Sequence, residues 1–205
     1  MLFVYPFILN NSWQHRLSLG FLNVVILVSA AYAATRTRRS FLIVVVFLGL
    51  PSLGLQAAFL LTKNTAVGEL FLLTYAIFYT FTIGHVLRYV LAPGQVTADK
   101  IHGAIAAYIL IGLLWTLIYV FIEDLLPGSF SYNGSAAGTL RPEDLLYFSF
   151  VTLTTTGYGD MAPVTAHARS LAILEQLAGT FYIAILIARL TGLYQGGERG
   201  GADQG

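Results

Sequence analysis

Thr154-Thr155-Thr156-Gly157-Tyr158-Gly159-Asp160 is the stretch whose reading decides this chain. It closes an apolar run from Leu145 to Gly159 that is bounded by Asp144 and Asp160. The run is too short to cross a bilayer as a helix and return, because the hydrocarbon is about 30 Å thick and a helix rises about 1.5 Å per residue. It must dip in and come back on the same side. Non-helical backbone at membrane depth survives only where protein or a water-filled pathway satisfies its polar groups, so a re-entrant segment is itself a pointer to a pore.

Just upstream, Pro142-Glu143-Asp144 reads as a helix start, with proline in the first turn and acids where they complement the macrodipole. That helix is expected to run inward to about Thr154. Farther out, five stretches are long and apolar enough to cross a membrane: Leu17 to Thr35, Phe41 to Leu61, Leu70 to Leu87, Gly103 to Ile122 and Ser170 to Ala188. Pro51 and Gly54 interrupt the second and predict a kink, since proline removes a backbone donor in mid-helix. Met1 to Leu9 lacks the positive flank and cleavage site of a signal peptide and reads as part of an interfacial segment, 1–16.

Composition agrees with a lipid-embedded chain. The 205 residues are 57% hydrophobic and 10% charged, against roughly 25% charged in an average soluble domain, and mean hydropathy is +0.73. A net charge of +1 offers no basic face for a phosphate backbone, so nucleic acid is not an expected partner. With no cysteine, thiol chemistry and thiolate metal sites are excluded. His15, His85, His102 and His167 lie far apart, and neither His167 nor Glu175 has an evident nucleophile or metal partner, so no enzyme is read here. Basic residues are retained on the cytoplasmic side. Arg36, Arg38 and Arg39 fix that side. Arg88, Lys100, Arg189 and Arg199 then fall on it too, which puts the re-entrant loop outside and the C-terminus in the cytoplasm of a multi-pass protein of the cell membrane.

The 154–160 motif resembles the filter loop of the potassium channel superfamily, Thr-Val-Gly-Tyr-Gly, whose carbonyl oxygens replace the hydration shell of the ion. The resemblance runs from Arg141 to about Gly192. It includes Phe148-Ser149-Phe150-Val151-Thr152-Leu153 before the filter and Met161-Ala162-Pro163-Val164-Thr165 after it, and the small bacterial channels with one pore loop per subunit are also similar in Leu171 to Leu190. It implies an all-α membrane protein of about five transmembrane helices, with a re-entrant pore helix and a selectivity filter. Region 17–92 is a three-helix part of unknown role, 100–194 the pore domain and 195–205 a disordered cytoplasmic tail. No soluble ligand-binding domain is expected in this chain.

The residue types fit such a filter physically. Moving a small cation from water into a low-dielectric medium costs on the order of 20 kcal/mol, so conduction needs oxygens in place of water. For carbonyls to face one axis, alternate residues must take dihedrals that side chains resist, and Gly157 and Gly159 lift that penalty. The expected K⁺ ligands are the Thr155 hydroxyl and the carbonyls of Thr155, Thr156, Gly157 and Tyr158, with Gly159 ending the row. One loop supplies one side of each oxygen cage, so a homotetramer in a lipid bilayer is implied. No cofactor is expected beyond K⁺ as permeant ion. Thr156 departs from the family's valine or isoleucine and adds a hydroxyl behind the filter.

Support and gating residues follow from the resemblance. Asp160 at the outer mouth is expected to anchor the filter by a hydrogen bond from Tyr147. Glu175, the one acid inside a span, costs about 2.5 to 3.5 kcal/mol on insertion scales and needs a partner or a proton. It is placed against the hydroxyls of the pore-helix threonines, as structural support or as a pH sensor. Gly179 reads either as a flexing point of the inner helix or as a close-packing contact, and Ile183 and Ile187 either as a hydrophobic gate or as packing. No span carries the spaced arginines of a voltage sensor. The expected function is passive, selective K⁺ conduction; the alternatives are a poorly conducting regulatory subunit and a weakly selective cation channel.

Overall fold

Pro51 has no N–H to offer the carbonyl four residues before it. The chain meets that gap with a π-helical turn, Val45–Gly49, which passes directly into α1, Leu50–Thr62. The computed structural model describes residues 24–25, 45–62, 64–94, 97–133, 135–136 and 140–202. Apart from Val24 and Val25, which are helical, the first expected crossing and segment 1–16 lie outside the described residues. Of the second expected crossing, Phe41 to Leu61, residues 45–61 are described and belong to a shorter apolar helix, Val46–Thr62; the irregularity expected at Pro51 lies just before that residue. Ser52 donates its hydroxyl to the Leu48 carbonyl across the junction.

The chain divides into two units, Met1–Thr82 and Ile83–Gly205, with the boundary inside α2, Thr65–Val90. In the first unit α1 and α2 meet through aromatic rings. Gly68 lies so near the Phe59 ring that a Cβ there would come within 2.8 Å of it, and Phe59 stacks on Phe71 at 6.5 Å. Tyr75, fully buried, donates to the side-chain oxygen of buried Gln56 at 3.4 Å. A Cβ-free residue here thus permits a ring contact, and the ring contact leaves a buried hydroxyl that a glutamine must satisfy.

The second unit contains α3, Ala98–Leu125, the short α4, Pro142–Leu153, and α5, Ala166–Ala202. Among the described residues three helices are long and apolar enough to cross a membrane, Thr65–Val90, Ala98–Leu125 and Ala166–Arg189. They contain the third, fourth and fifth expected crossings. α5 continues past Gln195, where the sequence places the start of a disordered tail. Glycines disfavour helix in the tail, but extending an existing helix is easier than nucleating one.

The helical architecture carries one small sheet that the sequence did not signal. The connection from α3 to α4 holds strands β1, Phe130–Tyr132, and β2, Ser135–Ala136; β1 also pairs with β3, Met161–Pro163. Both pairings are antiparallel, with Ser131 opposite Ala136 and Ala162. Glu123 secures the entry by accepting from the backbone N–H groups of Gly128 and Ser129 at 2.8 and 3.0 Å. Strands this short carry too few residues for an alternating pattern to be legible.

Tyr119 of α3, Phe130 of β1 and Phe148 of α4 pack mutually edge to face, their centroids 5.1 to 5.3 Å apart. All three are buried, with Leu145, Met161, Ala168 and Ala172 around them. Each such aromatic pair adds about 0.5 to 1.5 kcal/mol beyond area burial. The triangle fastens helix, sheet and re-entrant helix at one point, which fixes where the following loop can go.

Candidate functional site

α4 begins as its sequence predicts. Pro142 occupies the first turn, and Asp144 reaches back to accept from the Arg141 backbone N–H at 3.0 Å. Arg141 also pairs with Glu143 and Asp144 at 3.3 and 3.5 Å on the surface. At the other end the helix unwinds into the motif. The N–H groups of Thr154, Thr155 and Thr156 donate to the carbonyls of Phe150, Thr152 and Val151, at 3.0, 3.0 and 2.9 Å. The loop is thereby hung from the last turn of the helix that precedes it.

The backbone then alternates in hand. Thr155, Gly157 and Gly159 have φ of +57°, +56° and +80°, whereas Thr156 and Tyr158 stay in the negative range. Alternation of this kind turns successive peptide planes the same way, so that like dipoles line one side of the strand. A Cβ at Gly157 or Gly159 would meet nothing within 4 Å. The glycines are there for the dihedral and not for space. Thr155 adopts the same left-handed region without that freedom, and for a β-branched residue this is a strained position. Sequence reasoning assigned the alternation to the glycines and missed its third member.

Thr156, the departure in the motif, is tied down. Thr154 donates its hydroxyl to the Phe150 carbonyl at 2.7 Å, and the Thr154 and Thr156 hydroxyl oxygens lie 2.9 Å apart. A hydroxyl has one proton. Since Thr154 spends its own on Phe150, Thr156 is the donor to Thr154, and a two-step relay runs from the loop to the helix.

Asp160 follows the row. Tyr147 donates to its Oδ2 at 2.9 Å, and the Met161 N–H donates to its Oδ1 at 3.0 Å. Desolvation and this bond to Asp160 push the Tyr147 phenol up to about 12, so it remains a donor across the physiological range. The Tyr158 ring lies parallel to that of Tyr147 with centroids 6.4 Å apart, and it is 71% exposed on the single chain. The Asp160 carbonyl accepts from the Asn133 N–H at 2.7 Å, a tether to the β-hairpin that no local sequence pattern marks.

Glu175 is fully buried in α5, in contact with two other helices. Its Oε1 is 2.6 Å from the Ser149 hydroxyl of α4 and its Oε2 2.5 Å from the Tyr119 hydroxyl of α3. The expectation of threonine partners is corrected: the pore-helix hydroxyl is Ser149, one turn before Thr152 on the same face. Ser149 Oγ also lies 2.8 Å from the Gly112 carbonyl, so its single proton has two acceptors in reach. Tyr108 closes the arrangement by donating to the Leu153 carbonyl at 3.2 Å.

Gly179 packs against α4. A Cβ on it would collide with the Leu153 carbonyl oxygen and stand 3.0 Å from Leu153 Cδ1. Of its two readings, this contact supplies a physical reason for close packing. Ile183 and Ile187 lie a turn apart, 43% and 55% exposed on the single chain.

A family profile described as an ion channel matches residues 109–195. Two pore potassium channel c of Oryza sativa subsp. japonica is 39% identical over 87 residues, which are 40% of this chain and 18% of that protein. Two-pore potassium channel 5 of Arabidopsis thaliana is 34% identical over 96 residues, 47% of this chain and 22% of that protein. The chain thus spans about a fifth of the length of these plant relatives. Protein LctB of Bacillus caldotenax is 34% identical over 92 residues, 37% of this chain and 68% of that protein. No solved structure matches. The segment 109–195 takes in most of α3, all of α4, the left-handed alternation and most of α5, and with these in place the chain belongs to the potassium channel superfamily as an integral membrane protein.

Proposed function

We propose that four copies of this chain form a passive, K⁺-selective channel in the cell membrane, with the C-terminus in the cytoplasm. The observation that carries the reading is the alternating hand at Thr155, Gly157 and Gly159, which leaves the carbonyls of the row free to act together. K⁺ ligands are the Thr155 hydroxyl and the carbonyls of Thr155, Thr156, Gly157 and Tyr158. A strand offers oxygen from one side only, so a closed cage needs symmetry-related copies, and four is the arrangement that the pore-loop architecture uses.

In this assembly residues 100–194 make the pore. Asp160 and Tyr147 brace the filter from outside, Glu175 braces it from behind, and Ile183 and Ile187 line the inner pathway. The negative end of the α4 dipole faces the cavity and favours a cation there. No covalent chemistry is required of the protein.

Purified protein in liposomes under a K⁺ gradient tests the proposal. A flux blocked by barium, with a reversal potential that follows K⁺ and not Na⁺ in mixed solutions, is expected. A reversal potential indifferent to which ion is present refutes selectivity, and absence of flux from verified tetramers refutes conduction.

A further inference from the structure

Lys100 Nζ and Arg189 Nη2 donate to the same acceptor, the carbonyl oxygen of Ala92, at 2.9 and 2.6 Å. Ala92 lies in the turn that follows α2, Lys100 in the first turn of α3, and Arg189 at the end of the candidate span Ala166–Arg189. Two helices therefore bring their cations to one oxygen. The oxygen has two lone pairs and can receive both. It carries no charge, so it does not offset the repulsion of two like charges that share one acceptor where solvent is partly excluded. Both residues are half-buried.

Among the described residues neither cation has an anionic partner. Among the described residues the salt bridges are those of Arg141 with Glu143 and Asp144, and Asp99, although adjacent to Lys100, pairs with neither Lys100 nor Arg189. Lysine offers three donors and arginine five, and the contact with Ala92 uses one of each. The remaining N–H groups match the oxygens of a phosphate, which a guanidinium can grip in bidentate fashion.

We propose that Lys100 and Arg189 form a binding site for a phosphate-bearing anion. The positive-inside topology puts the pair at the cytoplasmic surface, where anionic lipid phosphates are concentrated and attract juxtamembrane cations. Occupied, the site clamps the end of the inner helix to the turn between α2 and α3. The proposal rests on the spans crossing a bilayer and does not require that the protein conduct.

The full chain, reconstituted in phosphatidylcholine vesicles with or without phosphatidylglycerol, is extracted and its bound lipid measured by native mass spectrometry, with thermal stability followed in parallel. Wild type is expected to retain phosphatidylglycerol and to melt higher with it. Lys100→Gln and Arg189→Gln each lose both effects, whereas Lys100→Arg and Arg141→Gln keep them. Stabilisation by inorganic phosphate in phosphatidylcholine vesicles, lost in the same two variants, assigns the site to a soluble phosphate instead. Equal retention in wild type and both glutamine variants, or no response to either phosphate source, overturns the site. Should the glutamine variants fail to assemble, salt decides: retention by wild type must fall as ionic strength rises, and retention indifferent to salt overturns the proposal.

Discussion

Tyr147 and Asp160, separated by thirteen residues and by the whole filter motif, are joined by a hydrogen bond of 2.9 Å. The bond closes the loop into a ring whose other side is α4. A hydrogen bond to a charged group contributes about 1.5 to 3 kcal/mol when sheltered and less where water competes. Tyr147→Phe and Asp160→Asn are therefore both expected to hasten inactivation by several-fold in planar bilayers, and the double variant to be no worse than the stronger single one. Because the phenol is raised to about 12 from 10, its contribution is complete below pH 10 and fades as pH climbs through about 12. Unchanged inactivation in both single variants removes the anchor.

Glu175 answers to two hydroxyls. Glu175→Gln keeps an acceptor for Tyr119 and provides a donor for Ser149, which is then free to donate to Gly112. Glu175→Leu strands both hydroxyls in a buried place, at about 1 to 3 kcal/mol each. Thermal melting of the detergent-solubilised protein is expected to fall clearly for leucine and slightly for glutamine. Opening measured against pH in wild type and Glu175→Gln checks the sensing role, which requires that the glutamine variant lose its pH dependence.

The relay from Thr156 through Thr154 to the Phe150 carbonyl makes the two threonines one unit. Thr156→Val and Thr154→Val should each loosen the filter by about 1 kcal/mol, and the pair together by no more than one of them. The reversal potential in mixed K⁺ and Na⁺ reads this. Additive shifts mean that the hydroxyls act separately.

Gly179→Ala places a methyl group against the Leu153 carbonyl. Overpacking of this kind costs about 1 to 3 kcal/mol, so tetramer yield and current are expected to drop together. A variant that assembles normally but opens less favours the flexing role instead.

Ile187→Ser is expected to raise the current that persists under closing conditions, since a ring of hydroxyls holds water where a ring of isoleucines expels it. An unaltered closed-state current places Ile187 in packing.

What could be read in advance follows the strength of each local signal. The short helix α4 was legible because Pro142 and the acids after it act within one turn, and the third, fourth and fifth crossings because length and apolarity are summed over many residues. The Tyr147–Asp160 contact came from resemblance and found its geometry. Ser149 as the partner of Glu175 was one helical turn away from the threonines expected, an error that the rotation of two packed helices decides and spacing along one chain does not. The left-handed Thr155 has no sequence mark, since threonine does not advertise a dihedral it disfavours. The three short strands escaped because their pairing partners, Phe130 with Pro163 and Ser131 with Ala136, are set by three-dimensional neighbours.

The bond from the Asn133 N–H to the Asp160 carbonyl gives the hairpin a mechanical meaning. Whatever grasps that hairpin at Asn133, whether an antibody fragment, an attached sugar or an engineered tether, pulls on the residue that follows Gly159. In the proposed channel the hairpin is thus a lever arm, through which force applied from outside arrives at the end of the filter.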